Sequence, residues 1–329
     1  MNRQHTGRVG MMTLFVLAAT IFVSDLFFTG AWRGVAEAAD TKATPVRAYT
    51  LEIVPKDITY GKGAVWHAWT FNGSVPGPIL RVTVGERLRV RVVNRHTLTH
   101  SFHTHLTDYV FQHDGSQANI ITGKGMGAMT MIPPGGEHTY EFQPTTPGIY
   151  YYHCHSADGG LHITQHIHQG LYGAIIVEAA NEPPMRQEVL FMGEIGHVVE
   201  GEVPDYIMNG LGLPGGEAAL EAVFHKKGFP GVAEQLNKTV PAFTVKVNEP
   251  IKLHVINIGD DIHTFHAHSV AHVSLGVLNG RPWPANVLPL APGAADTLLV
   301  KFKQPGLWLF HCHVVFHADK GMIGVFSVE

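Results

Sequence analysis

Both cysteines of this chain stand between two histidines, as His153-Cys154-His155 and His311-Cys312-His313, and there are only 2 cysteines against 23 histidines in 329 residues. A thiolate flanked by imidazoles suits a transition metal. Histidine in such excess, with no poly-His tract to account for it, points to metal ligation. A Cys154–Cys312 disulfide is the other use an oxidising compartment would permit. The two cysteines occupy equivalent places in two halves of the chain, which leaves them too far apart to bridge.

On a strand successive side chains point to opposite faces, so His153 and His155 share one face while Cys154 takes the other. One strand can then serve two sites, and the ligands sort by face and softness. A cysteine thiolate, two imidazoles and a weak axial group make the blue-copper set, suited to one-electron transfer. In the second half that set is His263, Cys312, His317 and, five residues on, Met322. In the first half it is His100, Cys154 and either His166 or His162. Leu171 stands five residues after His166 where the methionine is expected, and a leucine cannot ligate, so this copper is expected to be three-coordinate and higher in potential. The other face collects eight histidines: His103, His105, His153 and His155, then His266, His268, His311 and His313. Eight imidazoles exceed what one metal takes and suit three coppers. Three coppers and a neighbouring blue site hold the four electrons that reduce O2 to water.

These residues need a scaffold, and the chain supplies one twice. Gly85–Asn94 alternates like a half-buried strand and leads to His100, His103 and His105; Ile251–Asn257 leads in the same way to His263, His266 and His268. Downstream, Pro134-Gly-Gly, strand Thr139–Phe142, Pro147-Gly148 and strand Tyr150–His155 are matched by Pro292-Gly293, Thr297–Phe302, Pro305-Gly306 and Trp308–His313. Short strands rich in Val, Tyr, Phe and Thr, punctuated by Pro and Gly, predict an all-β chain of two tandem Greek-key β-sandwiches, residues 40–182 and 183–329. The Pro-rich stretch Asn181–Arg186 reads as the linker. Gly201–Asn237 breaks the pattern and reads as a long loop with one short helix. Residues 1–39 read as an export signal peptide, with Arg3 and Arg8 ahead of the apolar run Met11–Val23 and small residues at Ala36, Ala38 and Ala39. The alternative is a membrane anchor, for which the run is short of the ~20 residues a span needs. Either way the folded part is expected in the periplasm or outside the cell. With 15% charged residues and a net charge of −4, neither a nucleic-acid surface nor an acidic tail is indicated.

The paired His-x-His and His-Cys-His motifs, and the ending His311-Cys-His-x3-His317-x4-Met322, resemble the multicopper oxidase family over residues 45–329. Length and layout resemble its small-laccase branch, in the form with a blue-copper set in each domain. The resemblance implies cupredoxin-type sandwiches and a homotrimer in which a trinuclear copper cluster lies between domain 1 of one subunit and domain 2 of the next. It also implies O2 as acceptor and a small-molecule or metal-ion reductant. Asp108, Tyr109 and Asp114 are similar to small-laccase segments in which a carboxylate and a tyrosine lie near the cluster, where the carboxylate would relay protons and Tyr109 would be a redox-active neighbour. Two other functions remain open. A copper nitrite reductase shares the two domains and the trimer but needs three histidines at its catalytic copper, and that family has an aspartate in place of His103. A non-enzymatic copper store or electron carrier would leave the eight histidines idle. The remaining histidines, among them His96, His113, His138, His168 and His254, read as surface or hydrogen-bonded residues, and Met126, Met129 and Met131 as core.

Overall fold

Strand formation follows the alternation of apolar and charged residues. Along Arg87–Asn94, Leu88, Val90 and Val92 are fully buried while Arg89 and Arg91 face solvent and pair across the ladder with Glu141 and Glu137. Such exposed pairs add little, roughly 0–1 kcal/mol each; the buried row fixes the register. The computed structural model describes residues 44–59, 65–107, 109–116, 130–195, 206–268, 272–275 and 283–329. The expected export segment therefore lies outside the described residues. Among them no helix is long and apolar enough to cross a membrane.

The first sandwich contains β1 (Val46–Thr59), β2 (Val65–Phe71), β3 (Leu80–Thr83), β4 (Arg87–Asn94), β5 (His103–Thr104), β6 (Glu137–Phe142), β7 (Gly148–His153) and β8 (Tyr172–Glu178). They form two sheets, in the orders β2-β1-β4-β6 and β3-β8-β7-β5. The second sandwich begins with β9 (Gln187–Glu194), β10 (Tyr206–Met208), β11 (Ala242–Val245), β12 (Ile251–Asn257) and β13 (His263–Ala267). It continues with β14 (His272–Ser274), β15 (Trp283–Ala285), β16 (Val287–Leu290), β17 (Ala295–Val300), β18 (Gly306–Cys312) and β19 (Ile323–Val328). Its sheets run β10-β9-β12-β17-β14-β15 and β11-β19-β18-β13-β16.

The internal repeat seen in the sequence is a repeat of topology. β1 lies parallel to β4 as β9 does to β12, and β3 lies parallel to β8 as β11 does to β19. Even the packing under the cysteines repeats. Tyr152 faces Gly173 across the β7–β8 ladder and Phe310 faces Gly324 across β18–β19. A Cβ at Gly173 or Gly324 would fall 2.3 Å from the Tyr152 hydroxyl oxygen or 2.2 Å from the Phe310 ring. Only glycine lets the aromatic ring two residues before each cysteine lie flat against the next strand.

Among the described residues three α-helices accompany the strands: α1 (Ile163–His168), α2 (Gly216–Thr239) and α3 (Val315–Asp319). The expectation of one short helix in Gly201–Asn237 is corrected here, since α2 runs for 24 residues with a break at Gly228 (φ 73°, ψ −173°). Its sequence has little apolar periodicity, the signal that marks a helix from sequence. It is held instead by tertiary packing, with Leu236 joining Leu213, Ala318 and Ile323 in a buried cluster.

Each sandwich has its own core, around Leu51, Phe102, Tyr140 and Cys154 in the first and Phe265, Phe310, Cys312 and Phe326 in the second. A third cluster joins them, with Tyr151, Tyr172 and Ile176 packed on Val189, Phe191 and Ile256. Phe191 is 2% exposed and its ring centroid lies 5.0 Å from that of Tyr172. Phe191→Ala is expected to cost about 3–5 kcal/mol and to lower the thermal unfolding midpoint; a midpoint equal to that of the native chain would show that this cluster does not hold the domains together.

Candidate metal centres

Cys154 follows the last residue of β7 and is fully buried, and its backbone N–H donates to the Leu171 carbonyl at 3.0 Å. Its Sγ lies 3.4 Å from His100 Nδ1 and 3.4 Å from His166 Nδ1, and those two nitrogens are 3.2 Å apart. In domain 2 the Cys312 Sγ lies 3.9 Å from His263 Nδ1 and 3.7 Å from His317 Nδ1, again 3.2 Å apart. Each triangle admits one ion at ordinary thiolate and imidazole ligand distances of roughly 2.0–2.3 Å.

In domain 1 the outward nitrogens show that the inward ones offer lone pairs. His100 Nε2 is 2.9 Å from His96 Nδ1, which also faces the Leu98 N–H at 3.4 Å and so acts as acceptor; the proton on His100 then sits at Nε2. His166 Nε2 is 3.4 Å from the Asp158 carbonyl, which only accepts. His263 Nε2 is 2.8 Å from the Glu194 carboxylate, which favours the proton on that nitrogen. Lone pairs that converge beside a buried thiol are the donor set of a metal.

The sequence left His162 and His166 as alternatives. His166 is buried on α1 with its Nδ1 beside Cys154 Sγ, whereas His162 is the exposed residue capping the N-terminus of α1 and lies outside that triangle. Leu171 and Met322 occupy equivalent places, each fully buried with its carbonyl accepting the cysteine N–H, at 3.0 and 3.2 Å.

The other histidines gather in two sets. His103, His105 and His153 bring their ring nitrogens together in domain 1, as His266, His268 and His311 do in domain 2. His105 and His153 Nε2 are 3.2 Å apart, and so are His268 and His311 Nε2. His155 and His313 complete the sets, with ring centroids 4.8 Å from His103 and 5.2 Å from His266. Backbone carbonyls fix the tautomers: the Nδ1–H groups of His103, His153, His266 and His311 donate to Asp114, Cys154, Asn286 and Cys312 at 2.6–2.9 Å. Their Nε2 lone pairs are thereby turned to the centre of each set. His155 Nδ1 is buried without a hydrogen-bond partner among the described residues, the mark of a donor meant for something else. All close imidazole pairs among these eight residues lie within one domain.

Burial keeps the rings of His100, His153 and His105 neutral, lowering them to about 2, about 3 and about 4 in that order. The two thiols differ. Burial pushes Cys154 up to about 11. Burial also acts to raise Cys312, but His263 and the backbone N–H groups of Thr264 and Val314 outweigh it and hold the thiol below its usual range. His263 is opposed by burial and yet raised to about 9 by Cys312 and Glu194. An ion bound there would displace a proton from His263.

Of the three proposed cluster neighbours, Asp108 lies outside the described residues. Asp114 is beside His103, its Oδ1 3.7 Å from Nδ1, and accepts the Tyr109 hydroxyl at 2.9 Å and that of Ser116. Burial would raise Asp114, but the Ser116 and Tyr109 hydroxyls and His103 lower it overall, so it is ionised at neutral pH. Sequence reasoning missed the groups behind the thiolate sites. His96 backs His100, the Trp69 ring lies 5.1 Å from that of His166, and Tyr206 stacks on His317 at 3.9 Å. No spacing announces them; only the four-residue step from His96 to His100 hinted at a pair.

Two sandwiches of this topology, each with a buried Cys-His-His triangle beside a four-histidine set, define a cupredoxin-type copper protein. Comparison agrees: models of multicopper oxidase domains match residues 52–182 and 218–329. The chain belongs to the multicopper oxidase family of copper oxidoreductases, in its two-domain, small laccase-like form, and copper is its metal. A crystal structure of a multicopper oxidase is similar at 28% identity and TM-score 0.68, covering 86% of this chain and 89% of that one. A blue copper oxidase from Nitrosomonas europaea is similar at 25% identity and TM-score 0.65, covering 86% of each. The copper-containing nitrite reductase of Neisseria meningitidis serogroup B is 27% identical over 303 residues, 85% of this chain and 68% of that protein.

His166→Ala is expected to abolish the blue absorption of domain 1, measured in a Cys312→Ser background, whereas His162→Ala leaves it in place. Loss in the His162 variant alone would reverse the ligand assignment.

Proposed function

We propose that the protein is a laccase-like oxidase that couples one-electron oxidation of a reductant to four-electron reduction of O2 to water. One observation carries this reading: each domain presents three histidines with their ring nitrogens converging and a fourth ring beside them, and each set adjoins a thiolate triangle through the same short stretch of backbone. Copper held by these donors supplies one-electron exchange at the triangles and O2 reduction where two histidine sets meet. The protein contributes pre-oriented imidazoles, and Cys154 and Cys312 whose flanking histidines reach the neighbouring set through one peptide unit. Asp114, ionised and held by Tyr109 and Ser116 beside His103, is placed to pass the protons that O2 reduction consumes.

The two histidine sets are separate within one chain, so a complete cluster on this reading requires domain 1 of one subunit and domain 2 of another, as in a homotrimer. The reductant is a small organic molecule or a metal ion, and the export-signal pattern of residues 1–39 supports a site of action in the periplasm or outside the cell. A second reading, nitrite reduction, is favoured by the name of the Neisseria relative. It uses three of the histidines and leaves His103 without a role.

Metal analysis with gas and nitrite assays separates the two. The oxidase reading expects about five coppers per chain, two at the thiolate triangles and three in shared clusters, with O2 consumed. About three coppers with nitrite turnover and no O2 uptake would overturn it. Cys312→Ser is expected to remove most turnover and Cys154→Ser to leave a substantial part; equal and complete loss in both would show that domain 2 is not the main inlet for electrons. For Asp114→Asn the expectation is a fall in O2 turnover of about 10²-fold. The ordinary Asp114 carboxyl is already ionised at neutral pH, and its contribution fades as pH falls through its lowered pKa. The deficit should therefore persist from neutral to alkaline pH and narrow in acid, and an unchanged pH–rate profile would remove Asp114 from the proton path.

A further inference from the structure

The two thiolate triangles repeat in their ligands but differ in what stands behind them. In domain 1 the outward nitrogen of His100 meets a neutral imidazole, His96, at 2.9 Å. In domain 2 the outward nitrogen of His263 meets the Glu194 carboxylate at 2.8 Å. Glu194 ends β9, its side chain is only 10% exposed, and it is pinned from behind by the N–H groups of Asp260 at 3.0 Å and Asp261 at 3.3 Å. His168 approaches from domain 1, its Nε2 3.6 Å from Glu194 and 3.5 Å from Asp260. A Cβ on Gly259 would fall 2.0 Å from the Glu194 carboxylate, so the loop before His263 is shaped around this group.

We propose that Glu194 is a positioning residue that sets the one-electron potential of the domain 2 thiolate site below that of the domain 1 site. A carboxylate behind a ligating imidazole fixes the ring and makes it the stronger donor, and a fixed negative charge in a poorly solvated site favours the more highly charged oxidised ion. Met322 against Leu171 acts in the same direction, so the two domains differ by two independent devices. Electrons arriving at domain 2 then move downhill toward the rest of the molecule. The inference rests on copper at the thiolate triangles and not on which acceptor is reduced, so it stands or falls without O2.

The test is anaerobic redox titration of the blue absorption, one site at a time. In a Cys154→Ser background, which leaves only the domain 2 site, Glu194→Gln is expected to shift the equilibrium toward the reduced form by about tenfold, or about 59 mV for one electron. In a Cys312→Ser background the same substitution should leave the domain 1 potential unmoved, and an intact blue band there shows that the fold survives. No shift in the first background, or an equal shift in both, overturns the proposal. A second variant keeps the test open should Glu194→Gln fail to hold copper: Met322→Leu in the Cys154→Ser background gives both domains a leucine at the axial place. The domain 2 potential is expected to stay below that of domain 1. A potential equal to it or above it would show that Glu194 contributes nothing.

Discussion

Each sandwich is organised around two imidazole nitrogens and a thiol sulfur held within 3.9 Å of one another in a dry core. At His100, Cys154 and His166 two nitrogen lone pairs and a sulfur converge at 3.2–3.4 Å. Leaving buried polar groups unsatisfied costs roughly 1–3 kcal/mol each, a cost that metal binding offsets. The surroundings hold the donors in place. Gly173 and Gly324 let the ring two residues before each cysteine lie against its neighbouring strand, the Leu171 and Met322 carbonyls take the cysteine N–H groups, and Ser101 Oγ accepts the N–H of His155 at 3.0 Å.

The same constraint links the triangles to the histidine sets. His153 and His311 follow the core-facing rings of β7 and β18 and precede the cysteines, so fixing either cysteine fixes its neighbour's direction within one peptide. Backbone carbonyls at 2.6–2.9 Å then choose the tautomer of four of the eight rings. Preorganisation of this kind is backbone-determined, and it repeats because the topology repeats.

Against that shared frame, the differences between the halves stand out. Leu171 stands at the place equivalent to Met322, a neutral histidine replaces a carboxylate behind the first imidazole of the triangle, and tryptophan replaces tyrosine beside the second. Domain 1 accordingly keeps its thiol protonated to high pH without metal, while domain 2 holds its cysteine lowered and His263 raised. Duplication supplied two equal sites, and the residues packed around them made the two chemically unequal.

The sequence by itself determined the repeat and the β-sandwich class, and it named Cys154, Cys312, His100, His263, His317 and the eight further histidines that folding gathers into triangles and sets, because residues near strand ends follow short, regular spacings that survive in one dimension. It could not choose between His162 and His166, since both fall in one segment and only the cap of α1 decides which ring turns inward. α2 was also hidden, because its stability comes from Leu236 packing on Leu213 and Ile323 and not from its own periodicity. Glu194, His96, Trp69 and Tyr206 escaped for the same physical reason. Their partners are 69 to 111 residues away, apart from the four-residue step of His96, and contacts made through space by folding leave no spacing to read.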